Sequence, residues 1–352
     1  MVSFHTTRAP TARPRRMGGT MALFLDEQNI AGLLTMDDAL AAIEDVFRED
    51  GMGRVASVPR TREPLNKGIL RIAAAVLNHR GYYGVRVSST TLSGRNTGRL
   101  FCLYKEDSAE LCAVIDALAI GAFRTGAASG VATRHLARPD AKTLGIIGAG
   151  RQAATQADAI VRVRPIERIR VFSRAPERRE AFCADLRTRL GVQANAVDTA
   201  EQAVAGSDIV VTATTATAPV LLGRWLAPGT HVNAIGAHYE HRRELDCDAV
   251  ACANVIVTDD LEQARHDAMD LIHPAAEGLL DWQTVRTIGA VVASPQSARR
   301  SPDDITLFKS LGVTMGDVAL GIRAYERAVE RGIGLALPAL AGRPGCDAPA
   351  ST

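Results

Sequence analysis

Gly148-Ala149-Gly150-Arg151-Gln152-Ala153 lies near the middle of the 352-residue chain, directly behind the apolar run 144–147. In a strand–turn–helix unit the first glycine permits the tight turn and the second lets a pyrophosphate approach the backbone. The small third residue lets the helix pack on the strand, with its first N–H groups aimed at phosphate oxygens. About twenty residues further on, the β-branched run Ile169-Arg170-Val171-Phe172 ends in Ser173-Arg174, followed by Arg178. An acidic residue at that strand end would accept the ribose 2′-hydroxyl of NAD, whereas a hydroxyl and an arginine suit a 2′-phosphate. The pattern predicts NADP(H), with NAD(H) as the alternative, held by Gly148, Gly150, Arg151, Gln152, Ala153, Ser173, Arg174 and Arg178. Two more residues could take part in chemistry. Arg124 interrupts the otherwise apolar stretch 116–137, and a guanidinium buried there needs a partner. His238 follows a predicted strand on the side where such sheets bind ligands. It titrates near neutrality and could donate a proton, or could simply line the cleft.

Positioning these groups requires two kinds of module. From Thr143 onward strands and helices alternate: strand 144–148, helix 151–162, strand 169–172, helix 176–189, strand 192–197, helix 199–205, strand 208–212, then strands at 231–235 and 255–258. Alternation of this kind predicts a parallel sheet with helices on both faces. Ahead of it, Thr35 with Asp38 three residues on gives the helix 35–49 a capping-box start. Strand-like stretches follow at 68–76, 84–88 and 100–104, so this block reads as α+β. The stretch 116–137 reads as one long helix stopped by Arg138-Pro139. The block 305–332 reads as helical and packs most simply onto the first module. The fold class expected is therefore α/β, a Rossmann-type dinucleotide-binding domain (139–305) inserted into a discontinuous α+β substrate and dimerisation domain (21–138 plus 306–335). Residues 1–20 read as a disordered extension and 336–352 as a flexible tail.

Composition excludes several partners. Net charge is +2 and aromatics make up 4% of the chain, so neither a basic nucleic-acid face nor stacking platforms are indicated. The longest apolar candidate, 111–122, is too short for a membrane span and is broken by Asp116. Six cysteines without a C-x-x-C pair argue for reduced thiols in a cytoplasm. No metal is expected: the cysteines are scattered, and His266 and His273 show no carboxylate at ligand spacing. A small anionic ligand fits best.

Five stretches, in unbroken order over about residues 21 to 335, resemble the ornithine cyclodeaminase/μ-crystallin family. They are Ala122-Phe-Arg124-Thr-Gly-Ala-Ala-Ser129, Gly148-Ala-Gly150-Arg-Gln-Ala153, the run from Gly223-Arg-Trp225 through Asn233 to Gly236-Ala237, Arg243-Glu244-Leu245-Asp246, and Ile305-Thr-Leu-Phe-Lys309-Ser310-Leu-Gly312. The resemblance implies a homodimer and chemistry on imines or amino acids. It places Arg60, Arg86 and Arg124 on the substrate carboxylate, a task suited to the bidentate guanidinium. Arg62 competes with Arg60 for its role. Asp317 matches an acidic residue near the nicotinamide or substrate, although it could equally cap the last helix. Thr212, Ala213, Thr214 and Gly236 would line the cofactor groove. Lys309, counted with the cofactor-binding residues, and Ser310 would lie at the pocket mouth or hold the domains together.

Two departures from the family pattern matter. Arg86 stands where cyclodeaminases place a lysine, and an arginine is a poor proton shuttle. His238 stands where they place an aspartate that takes up a substrate amine. Both losses argue against ornithine cyclodeamination and against a standard alanine dehydrogenase. The reaction expected is NAD(P)H-dependent reduction of a small 2-imino acid to an L-amino acid, with His238, Arg86 and Asp317 as catalytic residues. An amino-acid dehydrogenase, a tolerant cyclodeaminase or a non-catalytic NADPH-binding protein are the alternatives.

Overall fold

The structure is a computed structural model that describes residues 22–91, 96–237 and 242–338. The extension expected over 1–20, most of the tail expected over 336–352, and His238 lie outside the described residues.

Two sheets organise the chain. The first has seven strands in the order Leu335–Ala336, Leu23–Leu25, Leu111–Asp116, Asn96–Lys105, Tyr82–Thr91, Gly68–Leu77, Val55–Leu65. Its four long strands form an antiparallel meander, and period-2 alternation gives the inner strands one buried face. Ala73, Ala75, Leu77, Phe101 and Leu103 point inward, onto helices Met36–Gly51, Ala117–Leu136 and Thr314–Arg331. The capping box read from Thr35 and Asp38 is present at the start of Met36–Gly51. Asp116 ends its strand and caps the next helix, accepting from Leu118 N at 2.9 Å, so the apolar run 111–122 is a strand followed by a helix. The expected tail begins slightly too early: Ala336 still pairs with Leu23.

The second sheet has eight strands, all parallel, in the order Arg286–Thr287, Val255–Thr258, Thr306–Lys309, His231–Ala234, Ile209–Thr212, Thr143–Ile147, Arg168–Phe172, Gln193–Ala196. Its middle strands are buried at every position, as expected where helices cover both faces. This is the expected doubly wound unit, with one correction. The block 305–332 is not wholly helical. Thr306–Lys309 is a strand in the interior of the nucleotide-domain sheet, and the helix starts only at Thr314, so the chain leaves this domain after Lys309 rather than at residue 305. Four apolar-flanked residues beside a long amphipathic helix carry too little periodicity to be separated from it. The five described cysteines are free thiols, and no described helix is long and apolar enough to cross a membrane.

Candidate active site

A cleft of about 440 Å³ opens between the C-terminal ends of the parallel strands and the inner face of the first sheet. Parallel sheets of this kind bind ligands at that end. The first βα turn is shaped for a phosphate-bearing cofactor. Gly148 sits at φ +121°, which excludes a side chain. A Cβ built on Gly150 would meet only Arg178 Nη2, at 3.9 Å, so the backbone there lies open to a ligand. Helix Arg151–Val163 has no side-chain cap, which leaves its first N–H groups for an anion. Arg178 donates from Nε to Ala149 O at 3.1 Å, bracing the turn. Ser173 and the exposed Arg174 follow directly on strand Arg168–Phe172, with no acidic residue at the strand end. Gly150, Arg151, Gln152, Ala213, Thr214, Thr215 and Gly236 all line the cleft. These residues fit an NAD(P) pyrophosphate.

Opposite them, Arg60, Arg86 and Arg124 converge. Asp317, 1% exposed, accepts from Arg86 Nη1 through Oδ1, and Arg124 Nε lies 3.6 Å from its Oδ2. Arg86 also donates to Ala117 O at 3.2 Å. Arg60 donates to the carbonyls of Leu311 and Gly312 at 3.0 and 2.5 Å. Arg60 and Arg62 stand in different places. Arg60 lines the cleft, while Arg62 pairs with Asp267 of the other domain. Burial, with the charges of Arg124 and Arg62 beside it, lowers Arg60 to about 10. Burial likewise pushes Arg124 down, and Arg86 adds to the effect while Asp317 opposes it. A desolvated cation gains most from an arriving carboxylate. Gly312, at φ +78°, gives the guanidinium of Arg124 room that a Cβ would take.

Asp259, which the sequence did not single out, holds the loop that carries these carbonyls. It accepts from Ser310 Oγ at 2.9 Å and Gly312 N at 2.7 Å, and from Leu311 N. Burial raises its carboxyl against the pull of those bonds. Lys309 corrects the sequence reading. Its side chain is fully buried behind the cleft, with Nζ 2.8 Å from Asp270 Oδ2, because its strand is interior to a sheet covered on both faces. Asp270 also accepts from Glu244 N, and Glu244 accepts from Thr212 Oγ1, Thr214 N and Gly236 N at 2.6–2.9 Å. Lys309, Asp270 and Glu244 therefore set the shape of the groove without lining it. The motif Arg243-Glu244-Leu245-Asp246 pointed to Glu244, but only the fold reveals what it holds.

A second correction concerns His273. Glu277, one helical turn on, lies 3.0 Å from its Nδ1, and Cys247 Sγ lies 3.6 Å from it. The ligand atoms of all three fall within 4.8 Å of one another. None lines the cleft, and Arg243 Nη2 places a cation 3.6 Å from the same sulfur.

The chain matches known proteins along most of its length. The profile of the ornithine cyclodeaminase/mu-crystallin family covers residues 21–332. An alanine dehydrogenase of Archaeoglobus fulgidus is 33% identical over 321 residues, 89% of this chain and 97% of that protein. A Delta(1)-pyrroline-2-carboxylate reductase of Bacillus cereus is 32% identical over 310 residues, 86% of this chain and 95% of that protein. The solved structure of the Thermococcus litoralis Delta(1)-pyrroline-2-carboxylate reductase, in complex with NADH and L-proline, superposes with a TM-score of 0.86 at 33% identity, covering 90% of this chain and 100% of that one.

Proposed function

The chain belongs to the ornithine cyclodeaminase/mu-crystallin family, and from that premise we propose that it is an NADPH-dependent reductase of a small 2-imino acid, giving an L-amino acid. The observation that carries the reading is the convergence of Arg60, Arg86 and Arg124 on one cleft facing the Gly148–Gly150 turn. A carboxylate clamp across from a dinucleotide turn holds an anionic C=N substrate against a hydride source. The nicotinamide, when bound, supplies the hydride that reduces the imine carbon.

The protein's own residues do the rest. Arg60 and Arg124 take the substrate carboxylate, and Arg86, which cannot give up its proton, polarises rather than shuttles. Asp317 aims both Arg86 and Arg124. His238 is the proposed proton donor to the imine nitrogen, adjacent to Ala237 and the cleft-lining Gly236. A pH–rate profile that stays the same in His238→Asn would return it to being a wall residue. Ser173, Arg174 and Arg178 favour NADPH over NADH.

A homodimer is part of the same reading. Ile72, Val87 and Leu100 stand in register on three adjacent strands, on the outer face of the first sheet. They are 41%, 41% and 47% exposed. An apolar row of this kind suits burial against a second copy. The archaeal alanine dehydrogenase structure is described as a dimer with bound NAD. Five free thiols among the described cysteines fit a reducing cytoplasm.

The direct test is consumption of NADPH with Δ1-pyrroline-2-carboxylate, and with 2-oxo acids plus ammonia. Turnover of one of these supports the reading; no turnover of any, with tight NADPH binding retained, favours a non-catalytic binding protein.

A further inference from the structure

The two segments that shape the cofactor groove from behind, around Glu244 and Asp270, meet again nearer the surface. Cys247 lies three residues after Glu244 and opens helix Cys247–Ala251; His273 lies three residues after Asp270 on helix Met269–Ala276, with Glu277 just past its end. Their side chains converge. Cys247 Sγ lies 3.6 Å from His273 Nδ1, and Glu277 Oε1 lies 3.0 Å from the same nitrogen. The three ligand atoms fall within 4.8 Å of one another, the one group of this kind among the described residues. We propose that Cys247, His273 and Glu277 bind a zinc ion, which staples the segment carrying Glu244 to the helix carrying Asp270.

The donor set and its spacing carry this. A thiolate, an imidazole and a carboxylate are ligands that zinc takes, at about 2.3 Å to sulfur and about 2.0–2.1 Å to nitrogen and oxygen. Tetrahedral angles at those lengths put sulfur and nitrogen about 3.6 Å apart, and nitrogen and oxygen about 3.3 Å apart. The observed separations are already close to these. Asp246 caps the helix that Cys247 opens, accepting from Ala249 N at 2.9 Å, and His273 and Glu277 stand at i and i+4, on one helix face. Asp270 Oδ1 accepts from Glu244 N at 2.7 Å and from Leu245 N at 3.0 Å, so the two halves of the site are held together before an ion arrives. Arg243 bears on the charge balance, because its Nη2 lies 3.6 Å from the Cys247 sulfur. Zinc with one thiolate and one carboxylate is neutral overall, and a guanidinium N–H can donate to the coordinated sulfur as an outer partner. The side chains of His273 and Glu277 are 42% and 47% exposed, which leaves the fourth position to water. Binding releases the thiol proton to solvent and changes no oxidation state. None of the three residues lines the arginine-lined cleft, so the site stands or falls apart from the proposed reaction.

Cobalt(II) serves as a visible probe. Titrated into the full, reduced chain, it should give a thiolate-to-metal charge-transfer band and tetrahedral d–d bands that saturate at one ion per chain, and zinc should bleach them. Cys247→Ser should abolish the charge-transfer band. Cys247→Ser and His273→Gln should each weaken zinc binding, read by competition with a chromophoric chelator, by at least ~100-fold, more than loss of an outer partner costs. Glu277→Gln should weaken it by at least ~10-fold. Cys252→Ser, at the far end of the same short helix, should leave both the band and the affinity unchanged. None of the three side chains is fully buried, so the metal-free Tm of each variant should stay within about 2 °C of the original. The staple is read by hydrogen exchange: zinc should slow exchange of the Glu244 and Leu245 amides in the unmodified chain and not in His273→Gln. No charge-transfer band in the unmodified chain, a band that persists in Cys247→Ser, or equal zinc affinity in the unmodified and His273→Gln chains would each overturn the site. Unchanged exchange at Glu244 and Leu245 on zinc binding would overturn the staple.

Discussion

Arg86 and Asp317 meet across 231 residues of sequence: Nη1 of the strand arginine donates to Oδ1 of an aspartate in the first turn of the last long helix. The other oxygen of Asp317 faces Arg124 Nε at 3.6 Å. One buried acid therefore positions two of the three clamp cations. Asp317→Asn leaves both guanidinium groups short of a charge. Removing one partner of a buried pair costs about 3 kcal/mol of stability, and kcat/KM for the imino acid should fall by roughly 10–100-fold, mainly through misplaced arginines. Denaturant unfolding together with steady-state kinetics checks this. An Asn variant as stable and as active as the original would show that Asp317 positions nothing.

Arg124→Met should fail differently from a cofactor-site change. It removes the most deeply buried cation of the clamp, and loss of a charged, hydrogen-bonded contact is worth on the order of 2–5 kcal/mol, so kcat/KM should drop by at least ~30-fold. The helix that carries Arg124, Ala117–Leu136, belongs to the first module, so the Kd for NADPH should stay within about two-fold of its original value. A large loss of NADPH affinity would move Arg124 from the substrate to the cofactor.

Much of this geometry was legible because it is local. The Gly148–Gly150 turn, the helix cap at Thr35 and the arginine inside an apolar helix are each decided by residues within one or two turns of one another. What sequence alone did not show depends on contacts distant in the chain. Arg60 and Arg62 look alike until one meets the Leu311 and Gly312 carbonyls and the other meets Asp267. Lys309 looks like a pocket residue until its strand is placed in the interior of a sheet, where it pairs with Asp270. Asp259 and Glu244 act through backbone N–H groups of loops up to 53 residues away, a task that any acidic residue could announce and few perform.

The NADPH preference proposed above rests on the end of strand Arg168–Phe172. Arg174 is exposed there, and neither it nor Ser173 is acidic. Arg174→Asp replaces the proposed partner of the 2′-phosphate with a repelling charge. The ratio of kcat/KM for NADPH to that for NADH should fall by roughly 10–100-fold. Equal efficiency with the two cofactors in the unmodified protein would contradict the assignment.

Asp50 gives a pH signature outside the site. Burial, with the Asp260 charge adding to it, raises its carboxyl to about 6 from an ordinary 3.8. Between about pH 4 and 6 the folded chain thus holds a proton that the unfolded chain has lost, and stability falls as pH rises through that window. Above it, the folded protein carries the full cost of an ionised, half-buried carboxylate. Asp50→Asn removes that cost, so the gain in Tm should be larger at pH 7 than at pH 4. A gain that is the same at both would show that Asp50 is ordinary.

The central claim is hydride delivery to an imine carbon inside the arginine-lined cleft. Its most direct measurement uses NADPH deuterated at nicotinamide C4, offered with the best imine found in the kinetic panel, with the product analysed by NMR. Deuterium should appear at C2 of the amino acid, in the L configuration and on no other carbon. An amino acid formed without deuterium at C2, or deuterium lost to solvent, would contradict the account.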